Sequence, residues 1–184
     1  MASGGDVAVP IRRLHRFAMP TPGVSESDSS IDRGPAVRFP PPLPYVVAFG
    51  VGALLERYAP LPITLLDVPW LGWVGLALMA AGLITLATGM LTFRNARTPI
   101  YPNAPATTIV THGIYRVTRN PMYVGLATLY LGGVAATAMV WPLLLLPPVI
   151  ALIYTQVIRR EERHLHRAFP EEYGAYTRRV RRWL

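Results

Sequence analysis

At 184 residues the chain is of single-domain length, with 52% hydrophobic residues against 15% charged and a formal net charge of +8. A soluble domain carries about 25% charged residues, and the mean hydropathy here is +0.32, which argues against a water-soluble globule or a disordered chain and for a membrane protein. There is no cysteine, all 18 basic residues are arginine, and every serine lies in the first 30 positions, so disulfides, thiolate, lysine and serine nucleophiles are absent from the body of the protein.

Residues 1–42 read as an extended or disordered N-terminal tail, mixing Gly, Ser, Pro and both charge signs without periodicity. Arg12, Arg13 and Arg16 are followed by no apolar stretch, so no signal peptide is expected. Pro35, Pro40, Pro41, Pro42 and Pro44 form a stiff lead-in. Residues 43–184 form the folded domain, in which four hydrophobic segments follow one another. The first covers about 43–66, provided that it continues past Pro60 and Pro62. The second, 70–91, is 22 residues without a charge, where a hydrocarbon core needs about 20. The third and fourth, 121–140 and 142–158, have almost nothing between them and predict a tight helical hairpin. Residues 159–184 predict a polar helical extension, with Leu165, Phe169, Tyr173, Tyr176 and Val180 at helical spacing. Pro170 and the two glutamates after it suit the first turn of a second helical piece. The fold class is thus an all-α integral membrane bundle of about four transmembrane helices, with a closing hairpin and a cytosolic C-terminal extension.

Arginine placement orients the bundle. Five arginines lie in the tail, four between the second and third segments and eight at the C-terminus, whereas the first external loop has only Arg57 and the hairpin turn none. Four crossings with both termini and the 92–120 loop on the cytosolic side satisfy the positive-inside rule at every loop.

Two polar clusters then hold nearly all the ionisable groups of the folded part. One runs from Thr107 to Tyr123 (TTIVTHGIYRVTRNPMY) and the other from Arg159 to Tyr176 (RREERHLHRAFPEEYGAY). They flank the closing hairpin, whose ends must meet on the cytosolic side, so the clusters converge on one interfacial pocket. Asn120 and Pro121 suit the start of the third helix. That start is either a plain helix terminus or, with Arg116 and Arg119 beside it, a place for a carboxylate or phosphate. Glu161 and Glu162 either pair with neighbouring arginines or receive a cationic group such as an ammonium. An anion site beside a carboxylate suits a zwitterionic amino-acid moiety, and S-adenosylmethionine carries one. His164 and His166 are two apart and point to different helix faces, so no metal site is expected. His112, before a glycine, reads as a loop histidine. The tract from Arg178 to Leu184 is explained more simply by anionic lipid headgroups than by nucleic acid.

At these clusters the sequence resembles the integral-membrane methyltransferases typified by isoprenylcysteine carboxyl methyltransferase, with the membrane phospholipid N-methyltransferases as close relatives. The matching text is His112-Gly113-Ile114-Tyr115-Arg116, Arg119-Asn120-Pro121-Met122-Tyr123-Val124-Gly125, Glu161-Glu162 and the stretch FPEEYGAY, in order over about residues 70–184. The resemblance implies an S-adenosylmethionine-dependent enzyme with a cytosol-facing cofactor pocket and a lipid-like or small amphiphilic acceptor arriving from the bilayer, as in a bacterial inner membrane. Carried over by position, Thr107, Thr108, Ile109 and Val110 would line the cofactor. Tyr115 and Asn120, with Arg119 and Pro121 around them, would hold its polar groups, and Glu161 its ammonium. Tyr123 and Val157 would face the acceptor. Asn120 stands where the isoprenylcysteine enzymes usually have His, and Val157 where eukaryotic members have an arginine, for which Arg159 or Arg160 would have to substitute. Both departures argue against a prenyl-protein carboxylate as substrate. An amine acceptor must lose a proton, and Tyr123 or Glu162 are the candidates to assist. The competing readings are an NADPH-dependent sterol-reductase-like oxidoreductase, which would want more converging arginines, and a non-enzymatic membrane scaffold.

Overall fold

The computed structural model describes residues 37, 39–62, 66, 68–96 and 109–184, and among these the only regular structure is helical. In chain order it consists of α1 (Pro42–Tyr58), α2 (Leu71–Asn95), a 3-10 turn (Gly113–Arg116), α3 (Pro121–Thr137) and α4 (Val140–Ile153). A π-helical turn (Tyr154–Ile158), α5 (Arg159–Ala168) and α6 (Pro170–Arg179) complete the chain. Residues 1–36 of the expected tail, and Thr107 and Thr108, lie outside the described residues. Val37 is buried and Phe39 packs against the main apolar cluster, so core packing begins upstream of the expected boundary at 43.

α1 stops at Tyr58 rather than continuing to 66. Pro60 disfavours helical torsions at the residue before it, and Ala59 has left the helical region at φ −143° and ψ 61°. α2, of 25 residues, and the continuous helix Val140–Ala168, of 29, are long and apolar enough to cross a membrane. α1 and α3 have 17 residues each and rise about 26 Å, a few ångström short of a core of roughly 30 Å. Of four expected crossings, two therefore have the full length.

α2 and α3 pack closely because small residues line their seam. Gly75, Gly82 and Gly89 recur every seven residues on α2, facing Gly125 and Gly132 of α3. A Cβ at Gly82 would come within 2.5 Å of the Leu129 nitrogen, and one at Gly132 within 2.6 Å of the Met79 nitrogen. Without a hydrophobic drive between helices in lipid, such backbone approach is what holds them together.

The hairpin between α3 and α4 is as tight as the sequence predicts. Ala138 takes a left-handed conformation at φ 55°, Met139 is extended, and α4 begins at Val140. Glu56 of α1 caps α4, accepting hydrogen bonds from the backbone N–H groups of Val140 (2.9 Å) and Trp141 (3.0 Å). The first-turn donors of a helix need such a partner in an apolar setting. Tyr123, Leu126, Tyr130 and Val134 of α3 form the core with Val149 and Ile153 of α4, Val157 and Ile158 of the π turn and Tyr45 of α1.

The helix does not end at Ile158. The π turn carries α4 directly into α5, and the chain folds back only at Phe169, with Pro170 opening α6 as its sequence predicts. A π turn shifts the register of side chains beyond it. α5 reads RREERHLHRA, too polar for hydrocarbon, so the apolar part of this long helix is Val140–Ile158 and the polar turns project beyond it.

Candidate functional site

The polar end of the bundle gathers the 3-10 turn, residues Val117–Asn120, the first turn of α3, α5, α6 and the C-terminal residues. Gly113, at φ 61°, supplies the left-handed turn that glycine adopts without strain and that brings the chain into the 3-10 turn. Tyr115 is thereby buried against Phe93, with ring centroids 5.2 Å apart. Its carbonyl accepts a 2.7 Å hydrogen bond from the Tyr176 hydroxyl, which ties α6 to the turn. The Tyr115 hydroxyl itself is buried and has no partner. Burial, with the nearby Glu161 charge and Tyr176 adding to it, holds that hydroxyl neutral, far above its ordinary range.

The two adjacent glutamates have different surroundings. Glu162 is gripped by Arg182 in a bidentate pair, Nε to Oε1 at 2.9 Å and Nη2 to Oε2 at 2.7 Å. Arg119 Nη1 lies 3.4 Å from the same carboxylate, and its charge also acts on the Tyr173 hydroxyl. Among the described residues Glu161 has no arginine partner; its Oε1 accepts a 2.7 Å hydrogen bond from the Tyr123 hydroxyl. Burial pushes the Glu161 carboxyl up to about 7, the Tyr123 hydrogen bond opposing the rise and the Glu162 charge adding to it.

Asn120 occupies the N-cap position of α3, yet its side chain makes no cap hydrogen bond. Its Nδ2 donates instead to the Arg182 carbonyl at 3.1 Å, and its backbone N–H donates to Thr118 Oγ1 at 3.2 Å. Pro121 starts α3 as expected and is fully buried. Tyr115, Asn120, Tyr123 and Glu161 thus converge at one end of the bundle. Arg119 is committed to Glu162. Val110 is buried, whereas Ile109 faces a neighbouring cleft of about 600 Å³ shared with Arg116, Glu172, Tyr176 and Arg179. Val157 is fully buried in the apolar cluster that also contains Tyr123. Arg160 reaches back along its own helix to Gln156 Oε1 at 2.9 Å.

Sequence reasoning missed Arg182, which it assigned to lipid headgroups. The faint signal was Trp183, an apolar residue closing a run of arginines; it packs against the core cluster. An apolar groove of about 490 Å³ along α4, lined by Leu143, Leu146, Pro147, Ile150 and Tyr154, ends at Arg182 and Trp183.

Two helices long and apolar enough to cross a membrane, with the polar groups gathered at one end of the bundle, define a helical membrane protein. Residues 70–172 match the family model described as phospholipid methyltransferase. That stretch is more than half of the chain, and the chain belongs to this family of membrane methyltransferases, which act on lipid-like substrates. No curated protein and no solved structure matches the chain.

Proposed function

We propose that the protein uses S-adenosylmethionine to methylate a lipid-like or small amphiphilic acceptor at the cytosolic membrane face. The observation that carries this reading is Glu161, a half-buried glutamate with a desolvated carboxylate, Tyr123 as its partner and, among the described residues, no guanidinium to neutralise it. A carboxylate so placed favours a ligand ammonium, which restores the ionised form that burial disfavours. The unpartnered Tyr115 hydroxyl and the Asn120 amide supply further polar contacts for the same ligand. The family resemblance adds Thr107, Thr108, Ile109 and Val110 to this reading as cofactor-lining residues, with Arg119 and Pro121 framing the start of α3.

When bound, S-adenosylmethionine supplies an already electrophilic methyl group. The protein's work is then alignment and exclusion of water, which suits a body without cysteine, lysine or serine. Tyr123 orients Glu161 by donating to it. Glu162, held between Arg119 and Arg182, serves the framework rather than the proton of an amine acceptor. The groove along α4 offers an apolar acceptor chain a surface that leads toward the polar end. Arginine counts support four crossings with both termini cytosolic, α1 and α3 spanning with local thinning of the bilayer.

Calorimetry of S-adenosylhomocysteine binding to the detergent-purified protein tests this reading. The wild type binds, and Glu161→Gln, which loses a charge-assisted hydrogen bond, binds roughly 10- to 100-fold more weakly. Equal affinities would remove Glu161 from the ammonium site, and a folded wild type that does not bind would overturn the cofactor assignment.

A further inference from the structure

The C-terminal residues are woven into the polar end at four points. The Arg181 carbonyl accepts from the Arg119 N–H at 2.9 Å. The Arg182 carbonyl accepts from Thr118 Oγ1 at 3.0 Å and from Asn120 Nδ2 at 3.1 Å. The Arg182 guanidinium holds Glu162 in the bidentate pair, donates through Nη1 to the Tyr154 hydroxyl at 3.3 Å and lies over the Tyr154 ring, 5.3 Å from its centroid. Trp183 then anchors the tail on the apolar cluster. One residue, Arg182, therefore links the segment before α3, the π turn and α5.

We propose that Arg182 is a positioning residue of the cofactor site: by pairing with Glu162 it leaves Glu161 as the uncompensated member of the two adjacent glutamates, open to a cationic ligand group. This deepens the proposed function and rests on its reading of Glu161. The physical basis is the field of one glutamate on the other: the Glu162 charge raises the Glu161 carboxyl, and a bidentate guanidinium fork is the geometry that offsets the charge of one carboxylate selectively. The groups facing Glu161 are Tyr123 from α3, Tyr115 from the 3-10 turn and Glu162 from α5. Those facing Glu162 are Arg119 from the preceding segment, Arg182 from the tail and Tyr173 from α6. With Arg182 removed, Arg119, whose shortest approach is 3.4 Å, remains the guanidinium at Glu162. The stronger negative field then shifts Glu161 further toward its neutral form.

The test is S-adenosylhomocysteine affinity measured by calorimetry from pH 6 to pH 8 in wild type, Arg182→Ala and Arg182→Lys. A rise of about one pH unit in the binding midpoint of Arg182→Ala weakens binding about fivefold at pH 7, and the gap falls below twofold at pH 8. Arg182→Lys, keeping the charge but not the fork, returns the midpoint most of the way. A loss of affinity that is the same at every pH, or none, overturns the assignment, because a structural role alone would not move the midpoint. A double-mutant cycle of Arg182→Ala and Glu162→Gln, read as melting temperature without ligand, separates this proposal from the cofactor reading. If the pair is coupled, Glu162→Gln costs little further stability once Arg182 is gone. Additive losses overturn the positioning role whatever ligand the site takes. Failure of the wild type to bind alone overturns the cofactor reading, and with it the role of Arg182 toward that ligand.

Discussion

Changing the pH acts directly on Glu161. Its carboxyl ionises near 7 instead of at the ordinary 4.5, so the folded protein holds this proton over a range in which the unfolded chain has released it. The sign follows from linkage: folding stability falls as pH rises from the unfolded value through about 7 and levels off above it. Ligand binding runs the other way. An ammonium partner requires the ionised form, which makes up about a tenth of the protein at pH 6, half at pH 7 and nine-tenths at pH 8 by the Henderson relation. S-adenosylhomocysteine affinity should therefore rise about tenfold between pH 6 and pH 8. Binding should also release about 0.9 proton at pH 6, 0.5 at pH 7 and 0.1 at pH 8. Calorimetry in buffers of differing ionisation enthalpy measures both quantities in one series. Flat affinity with no proton release would mean that Glu161 does not meet a cation.

Three further outcomes follow from contacts in the structure. Tyr123→Phe removes the 2.7 Å hydrogen bond that lowers the ionisation of Glu161, so the binding midpoint should move above pH 7; an unchanged pH profile would separate Tyr123 from Glu161. Gly82→Val places a side chain where even a Cβ would lie 2.5 Å from the Leu129 nitrogen. The helices must part, costing roughly 1–3 kcal/mol, and the melting temperature in detergent should fall, whereas the same change at Gly72, where nothing lies within 4 Å, should cost far less. Glu56→Ala strips the cap from α4 and should destabilise by about 1–2 kcal/mol in thermal melts, with little effect on ligand affinity because Glu56 sits at the opposite end of that helix from Glu161.

Much of the frame was legible in the sequence, for local reasons. A charge-free run announces α2, Asn120-Pro121 marks the start of α3, and Pro170 with Glu171 and Glu172 opens α6. The convergence of the two polar clusters followed from a hairpin too short to let their ends separate. Other features depend on contacts that local patterns do not encode. Ala59 yields to Pro60 where apolar continuity favoured more helix. The π turn at Tyr154–Ile158 continues the helix where the change to polar residues suggested an end. Glu56 reads as a stray acid in an apolar helix, and its use as a cap depends on where α4 begins in space. The sequence left open which of Glu161 and Glu162 an arginine holds, because that depends on Arg182, an arginine among many until the tail folds back on α5.

Methyl transfer itself is the central claim, and membranes from cells producing the protein allow the most direct measurement. They are incubated with methyl-labelled S-adenosylmethionine and extracted with organic solvent. The account predicts label in the lipid extract with wild-type protein and a loss of roughly tenfold or more with Glu161→Gln. Wild-type membranes that put no label above background into the extract, or a Glu161→Gln variant as active as wild type, would contradict it.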